Sequence, residues 1–243
     1  MVRLDFNEKD FKKDFYKLLS EYPEANNMVK LLEENCDLVL FGGAIREYID
    51  SKFDSIPRDF DIVLRKKKDD IDLDKLLLKF NYKKNRFDGY KIIIDSLEFD
   101  IWEIQNTWAF KENKVVCQMK DYVNELQRTV FLNIDSIVYN LNNEKLYANN
   151  YKKAMKRKTL DIILEDNPYK DLNYLRAILF RKRYNMSMSE KLIKNIVDYT
   201  KREKLYLEKL YEIQFSHYND EKVTKDDLSY ELDQIIKNVK IYD

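Results

Sequence analysis

Glycine, proline, cysteine and histidine are all scarce in this sequence. Its 243 residues include three glycines, three prolines, two cysteines and a single histidine. Cys36 and Cys117 provide neither a disulfide framework nor the spacing of a metal-binding cysteine motif, so both classes of site are excluded. Both cysteines stand next to apolar residues, and we expect buried thiols in a reducing compartment. The histidine, His217, lies in an acidic stretch with no catalytic partner in view, which argues against catalysis by histidine.

Long apolar runs are also missing. No stretch approaches the roughly 18 apolar residues that a membrane-spanning helix requires. The charged N-terminal segment MVRLDFNEKDFKKDF does not resemble a signal peptide. We therefore expect a soluble cytoplasmic protein with no membrane partner.

The sequence does contain enough apolar residues for a sizeable core, together with an even balance of charge. Apolar residues make up 44% of the chain and charged residues 36%, with 44 basic and 44 acidic side chains. Basic residues outnumber acidic ones two to one across residues 151–210, and the ratio is reversed across residues 211–243. Such a basic segment is typical of polyanion binding, although solvated helix faces give the same pattern.

The spacing of apolar residues predicts an α+β protein with two domains. Short apolar runs of strand length occur in the first 150 residues, and helical spacing dominates the remainder. We predict a first domain over residues 1–150, a small mixed β-sheet flanked by helices, and an all-α domain over residues 151–243. The predicted strands cover residues 38–41, 60–64, 90–94 and 97–102, and a helix followed by a small strand pair is predicted over residues 129–147.

Two of the three glycines, Gly42 and Gly43, stand side by side between a predicted strand and a predicted helix. The N-terminus of a helix exposes unpaired N–H groups, and glycine lets an anion approach them closely. The arrangement is typical of a phosphate-binding turn, although an isolated glycine pair is more often only a tight turn.

Two aspartates, Asp59 and Asp61, open the second predicted strand. Side chains two residues apart in a strand point to the same face, so these carboxylates are expected to project together. Two carboxylates at that distance repel each other unless a cation lies between them, and oxygen ligands suit Mg²⁺ or Mn²⁺. The alternative is an ordinary solvated strand face.

A third carboxylate is predicted on the strand LEFDIWEI. Glu98, Asp100 and Trp102 share one face of this strand, and Phe99 and Ile101 share the other. We expect Asp100 to join Asp59 and Asp61 in a site able to hold two metal ions, with Glu98 as the rival candidate. Alternatively, Glu98 and Asp100 form the polar side of an exposed hairpin.

These pieces occur in a specific order: a strand, Gly-Gly-x-x-Arg, a helix, Arg-Asp-x-Asp-x-Val opening the next strand, and a carboxylate on a later strand. The order resembles the nucleotidyltransferase superfamily of DNA polymerase beta. GGAIREYI and RDFDIVL are most similar to the head domain of bacterial poly(A) polymerases and class II CCA-adding tRNA nucleotidyltransferases. The resemblance covers about residues 35–195, through IDSIVYN, similar to the family's T-I-N-A segment, and LRAILFRKRYNMSMSEKL, similar to its L-R-A-x-R-F neck helix.

The resemblance implies a nucleotidyltransferase head followed by a helical neck-like domain. It implies transfer of a nucleoside monophosphate from a nucleoside triphosphate to an RNA 3′ end, with tRNA as one such acceptor. Asp59, Asp61 and Asp100 would be the catalytic carboxylates and would hold Mg²⁺ or Mn²⁺. The other implied residues are Gly42, Gly43, Arg46 and Arg58 for nucleotide binding, the arginines by phosphate contact or by bracing the loop, and Lys156, Arg157, Arg176 and Arg181 for RNA or triphosphate.

The sequence also departs from the family. Where the family has an aspartate after the motif arginine, this sequence has Glu47. The family's base-selecting Glu-Asp-x-x-Arg motif aligns with Tyr169, Lys170 and Asn173, and none of these residues matches it. The chain ends before the body and tail with which the family grips tRNA, so we do not expect housekeeping CCA addition. Two alternatives stay open, nucleotidyl transfer to a protein hydroxyl or small molecule and a non-catalytic nucleotide-binding module. The nucleotide used and the oligomeric state are not specified.

Overall fold

A computed structural model describes residues 7–239, which form two compact units. The first unit contains the described residues up to 129 together with residues 135–149, and the second contains residues 130–134 together with those from 150 onward. No helix in the described part of the chain has the length and apolar content needed to cross a lipid bilayer.

The first unit contains helices and most of the strands, and the second is mainly helical. The helices are α1 (Glu8–Leu19), α2 (Pro23–Asn35), α3 (Gly43–Ser51), α4 (Leu73–Leu77), α5 (Trp108–Lys111), α6 (Tyr122–Leu126), α7 (Asn149–Arg157), α8 (Lys170–Tyr184), α9 (Glu190–Arg202), α10 (Tyr206–Tyr218) and α11 (Lys225–Val239). The strands are β1 (Cys36–Phe41), β2 (Phe60–Lys66), β3 (Lys83–Lys84), β4 (Tyr90–Ile94), β5 (Leu97–Glu103), β6 (Val138–Asn140), β7 (Lys145–Tyr147), β8 (Thr159–Leu160) and β9 (Ser187–Met188). The predicted α+β class, with a mixed sheet followed by a helical region, is confirmed.

The sheet of the first unit has seven strands in the order β3-β4-β5-β2-β1-β6-β7. All neighbouring pairs are antiparallel except β2 and β5, which run parallel. The β4–β5 hairpin turns at Asp95 and Ser96, and both residues have positive φ, 51° and 66°. A two-residue loop with two positive φ values matches the right-handed twist of its strands and fixes their register.

An aromatic core holds α1, α3 and the sheet together. Phe11 of α1 contacts Tyr48 of α3 and Tyr139 of β6, with ring centroids 4.8 Å and 4.4 Å apart. Phe60 of β2 stacks on Phe99 of β5 at 5.3 Å. All five rings are fully buried, so this face of β2 and β5 points into the core. The opposite face of the two strands carries Asp61, Glu98 and Asp100 at the end where Phe60 and Phe99 pair.

Two segments differ from the prediction. Residues 130–132 do not form a helix and Asn133–Asp135 form only a short 3₁₀ turn. The backbone of this segment instead pairs with the chain near Ile162: the Ile163 N–H donates to the Phe131 carbonyl, and the Asn133 N–H donates to the Asp161 carbonyl. The second unit is also not purely helical, since β8 and β9 form a short parallel pair. Both pairings join segments distant in sequence, and local periodicity does not report them.

Candidate active site

The glycine turn joins β1 to α3. Gly42 has φ of 61°, a left-handed conformation that costs other residues energy, and it is the N-cap of α3. Its N–H donates to the Ile137 carbonyl at 2.9 Å, which ties the turn to the segment before β6. This N–H therefore already has an acceptor within the protein, and nucleotide binding by Gly42 stays a prediction.

The N–H groups that follow have no intrahelical partner. The first bond of α3 runs from the Arg46 N–H to the Gly42 carbonyl, so the N–H groups of Gly43, Ala44 and Ile45 precede the hydrogen-bonded ladder. A Cβ placed on Gly43 would meet nothing nearer than Arg46 Nη2 at 3.9 Å. The turn is therefore open to an anion, and the dipole of α3 favours one.

Arg46 braces the turn from the inside. Its Nη1 donates to Asp135 Oδ1 at 2.7 Å, and the two side chains are only 7% and 8% exposed. Asp135 lies two residues before Ile137, whose carbonyl accepts the Gly42 N–H. Of the two roles left open for Arg46, this geometry favours bracing of the loop over contact with phosphate.

Four carboxylates form an array on the polar face of β2 and β5. Asp61 and Asp100 are direct partners in the parallel pairing of these strands, and so are the buried Phe60 and Phe99. Asp59 and Glu98 each stand one residue before that phenylalanine pair. Neighbouring strands lie about 4.8 Å apart, and same-face residues along a strand lie about 6.6 Å apart. The register therefore places all four carboxylates around one small area.

Three members of this array come closest together. Carboxylate oxygens of Asp59, Glu98 and Asp100 lie within 4.8 Å of one another, and no other trio of this kind occurs among residues 7–239. The structure thus unites two of the three predicted metal ligands, Asp59 and Asp100, and adds their rival Glu98. Asp61 lies beside Asp100 in the register without joining the close trio.

The array lies at the same edge of the sheet as the glycine turn. Asp61 is the partner of Phe41 in the antiparallel pairing of β1 and β2, and Gly42 follows Phe41 directly. A group held by the first turn of α3 is therefore next to the carboxylates. The sequence predicted this proximity only through the order of its motifs.

The electrostatics of the trio suit a cation. Burial raises the pKa of Asp100, and the charges of Asp59 and Glu98 raise it further, while Lys91 and Arg58 oppose the shift. Carboxylates that disfavour each other's ionisation in this way are stabilised by a positive ion between them. The donor set contains only oxygen, which fits Mg²⁺ or Mn²⁺.

Two basic side chains border the array. Arg58 Nη2 pairs with Asp59 Oδ2, and Arg58 is 43% exposed. Lys91, on β4, pairs with Glu98 through its Nζ. Sequence analysis proposed Arg58 and missed Lys91. The signal was present in the two-residue turn at Asp95 and Ser96, because counting back along both strands from it places Lys91 opposite Asp100.

The four predicted RNA or triphosphate contacts all belong to the second unit and differ in their surroundings. Lys156 and Arg157 are exposed on α7 and form no ion pair among the described residues. Arg176 is half-buried, with its guanidinium carbon 5.5 Å from the centre of the Phe180 ring. Arg181 forms an ion pair with Glu231 of α11. Lys156 and Arg157 are thus the most accessible of the four.

Known proteins with similar folds were identified by comparing structures. A Thermotoga maritima CCA-adding enzyme complexed with tRNA aligns with a TM-score of 0.58 and 17% identity over 90% of this chain and 53% of its own. A CCA-adding enzyme in complex with CTP aligns with a TM-score of 0.60 and 18% identity, over 90% and 54%. A CCA-adding enzyme in complex with ATP gives 0.52 and 21%, over 81% and 49%.

The chain has the fold of the CCA-adding enzymes. It spans about half the length of these solved structures. No protein-family model matches the sequence, and a comparison with curated protein sequences gives no significant match. At such low identity, the likeness to the nucleotidyltransferase fold concerns architecture, and function has to be argued from the site itself.

Proposed function

We propose that this protein is a metal-dependent nucleotidyltransferase that transfers a nucleoside monophosphate from a nucleoside triphosphate to the 3′ end of an RNA. The observation that carries the proposal is the carboxylate array of Asp59, Asp61, Glu98 and Asp100 next to the glycine turn. An anion-binding helix terminus beside a cation-binding cluster is the arrangement that a metal-bound triphosphate requires.

Each part of the site has a separate task in this proposal. The open first turn of α3, starting at Gly43, binds triphosphate oxygens, and Arg46 keeps that turn in place through Asp135. Asp59, Asp61 and Asp100 hold the divalent cation. Bound there, a divalent cation neutralises charge on the phosphates and lowers the pKa of an attacking hydroxyl. The 3′ hydroxyl releases its proton to solvent, its oxygen forms a bond to the α-phosphorus, and pyrophosphate leaves with the electrons of the broken bond between the α-phosphorus and the bridging oxygen.

RNA as the acceptor is supported by a second set of observations. Lys156 and Arg157 expose positive charge on α7 that no described carboxylate neutralises, and phosphate backbones are bound by such side chains. Proteins with this fold include CCA-adding enzymes in complexes with tRNA, CTP and ATP. The sequence of the nucleotides added to the RNA would distinguish an activity like that of a CCA-adding enzyme from one like that of a poly(A) polymerase.

The proposal is tested by incubating the protein with Mg²⁺, each α-labelled nucleoside triphosphate in turn, and either total RNA or cell lysate. We expect label in RNA, and sequencing of the extended 3′ ends identifies the added nucleotide. Asp59→Ala and Asp61→Ala should abolish labelling. Asp37→Ala is the matched control, because Asp37 pairs with Arg65 at the far end of the same sheet.

Other outcomes would contradict the proposal in different ways. Label in protein or in small molecules, lost with the same two aspartates, would keep nucleotidyl transfer and replace the acceptor. Absence of label with every nucleotide and acceptor would favour a non-catalytic nucleotide-binding module.

A further inference from the structure

A lysine occupies the border of the carboxylate array. Lys91 is the direct partner of Asp100 in the antiparallel pairing of β4 and β5, and Ile93 is the partner of Glu98. Glu98 is therefore diagonal to Lys91, within reach of a long side chain. In the structure Lys91 Nζ pairs with Glu98 Oε1, and both side chains are partly exposed.

Asp100 and Glu98 differ in how their charge is compensated. Glu98 is bound by Lys91, whereas the carboxylate of Asp100 makes no hydrogen bond or ion pair with any residue between 7 and 239. Asp59 has Arg58 as its partner. Asp100 is thus the array carboxylate of β5 that is left without a fixed partner. A cation entering the array gains most by binding Asp100.

We propose that Lys91 is a positioning residue that holds Glu98 at the border of the array, so that Asp100 is the array carboxylate of β5 that binds the cation. The inference rests on the metal site of the proposed function and specifies which β5 carboxylate belongs to it. Lys91 also places a fixed positive charge beside the array, so the array attracts a divalent cation less strongly than four carboxylates alone would.

Binding of Mn²⁺ without nucleotide tests the inference, measured from the free Mn²⁺ signal in electron paramagnetic resonance titrations. Glu98→Gln should weaken binding about tenfold, because a negative charge near the ion is removed, whereas Asp100→Asn removes both a charge and a ligand and should weaken binding about a hundredfold. Lys91→Met should tighten binding about tenfold, because a positive charge roughly 7 Å from a divalent ion is removed. Lys91→Arg keeps the charge and should bind as the native chain does.

Two further variants separate the pairing from general effects of charge. Lys91→Met combined with Glu98→Gln removes both members of the pair and should restore nearly native affinity. Lys30→Met, at an exposed lysine of α2 without an ion pair in the described part of the chain, should leave affinity unchanged. Circular dichroism of each variant checks that the fold is retained.

The results distinguish failure of this inference from failure of the proposed function. If Glu98→Gln weakens Mn²⁺ binding as much as Asp100→Asn, or Lys91→Met does not tighten it, Glu98 is an ordinary ligand and the inference is wrong, while the metal site stands. If the native chain binds no Mn²⁺, or Asp100→Asn binds it normally, both the metal site and the inference are overturned.

Discussion

Replacing Arg46 by methionine tests whether this side chain braces the glycine turn or contacts a substrate phosphate. The guanidinium of Arg46 and the carboxylate of Asp135 are 2.7 Å apart, and both side chains are less than a tenth exposed. Removing one partner leaves the other as an uncompensated buried charge, which costs about 3–5 kcal/mol. We therefore expect Arg46→Met to lower the folding equilibrium constant of the first unit by about a thousandfold.

Tryptophan fluorescence during urea unfolding is the appropriate assay. The chain has two tryptophans, Trp102 and Trp108, and both lie in the first unit, so their emission follows that unit alone. Arg58→Met is the matched control. Arg58 also pairs with an aspartate, but it is 43% exposed, and an exposed pair contributes about 0–1 kcal/mol.

Equal destabilisation by the Arg46 and Arg58 variants would refute the bracing role. Unchanged stability of Arg46→Met together with weaker binding of nucleoside triphosphate would instead assign Arg46 to phosphate contact. Replacing both partners by apolar side chains, Arg46→Met with Asp135→Leu, should recover most of the lost stability, because no buried charge is then left unpaired.

Substitutions at three other places should have distinct effects. Burial and two neighbouring carboxylates raise the pKa of Asp100. Its contribution to stability is therefore present below its unfolded pKa and is lost as the pH rises through the folded value. In urea titrations without divalent ions, Asp100→Asn should be more stable than the native chain at neutral pH and no more stable in acid. In the same assay Gly42→Ala should lower the free energy of unfolding by about 1–2 kcal/mol, because Gly42 has a φ of 61°. Gly43→Ala should keep the stability but weaken nucleotide binding measured by calorimetry, because its methyl group would lie where the phosphate is proposed to bind. Lys156→Ala with Arg157→Ala should weaken RNA binding. The slope of the logarithm of the binding constant against the logarithm of the salt concentration should fall by about 0.7–0.9 per lost contact. Unchanged values in any of these tests would contradict the role assigned to that residue.

Features set by neighbouring residues were accessible from the sequence. The strand, glycine pair and helix follow one another within a short segment, and the hairpin turn at Asp95 and Ser96 fixes its own register. Alternation then places Glu98 and Asp100 on one face of β5, opposite the buried Phe99.

Features set by tertiary contacts were not accessible from local patterns. The pairing of β2 with β5 joins strands that are neighbours in the sheet but separated by β3 and β4 along the chain, so the expectation that Asp100 joins Asp61 rested on the order of the motifs and not on local spacing. Arg46 and Asp135 are 89 residues apart, and sequence analysis therefore left Arg46 with two possible roles. Glu98, by contrast, stayed a rival ligand although a local feature, the register of the β4–β5 hairpin, places its partner Lys91 opposite Asp100.

The ends of the seven-stranded sheet have a consequence for how the protein behaves at high concentration. An open sheet presents unpaired N–H and C=O groups along its outer strands, which can template association with another chain. Here the outer strands are only two and three residues long, and β3 consists of Lys83 and Lys84. Apart from residues 92–94 of β4, which β3 does not cover, each copy therefore offers a neighbour little edge to extend and places positive charge beside it. The place where another chain could extend this end of the sheet is thereby confined to a few residues.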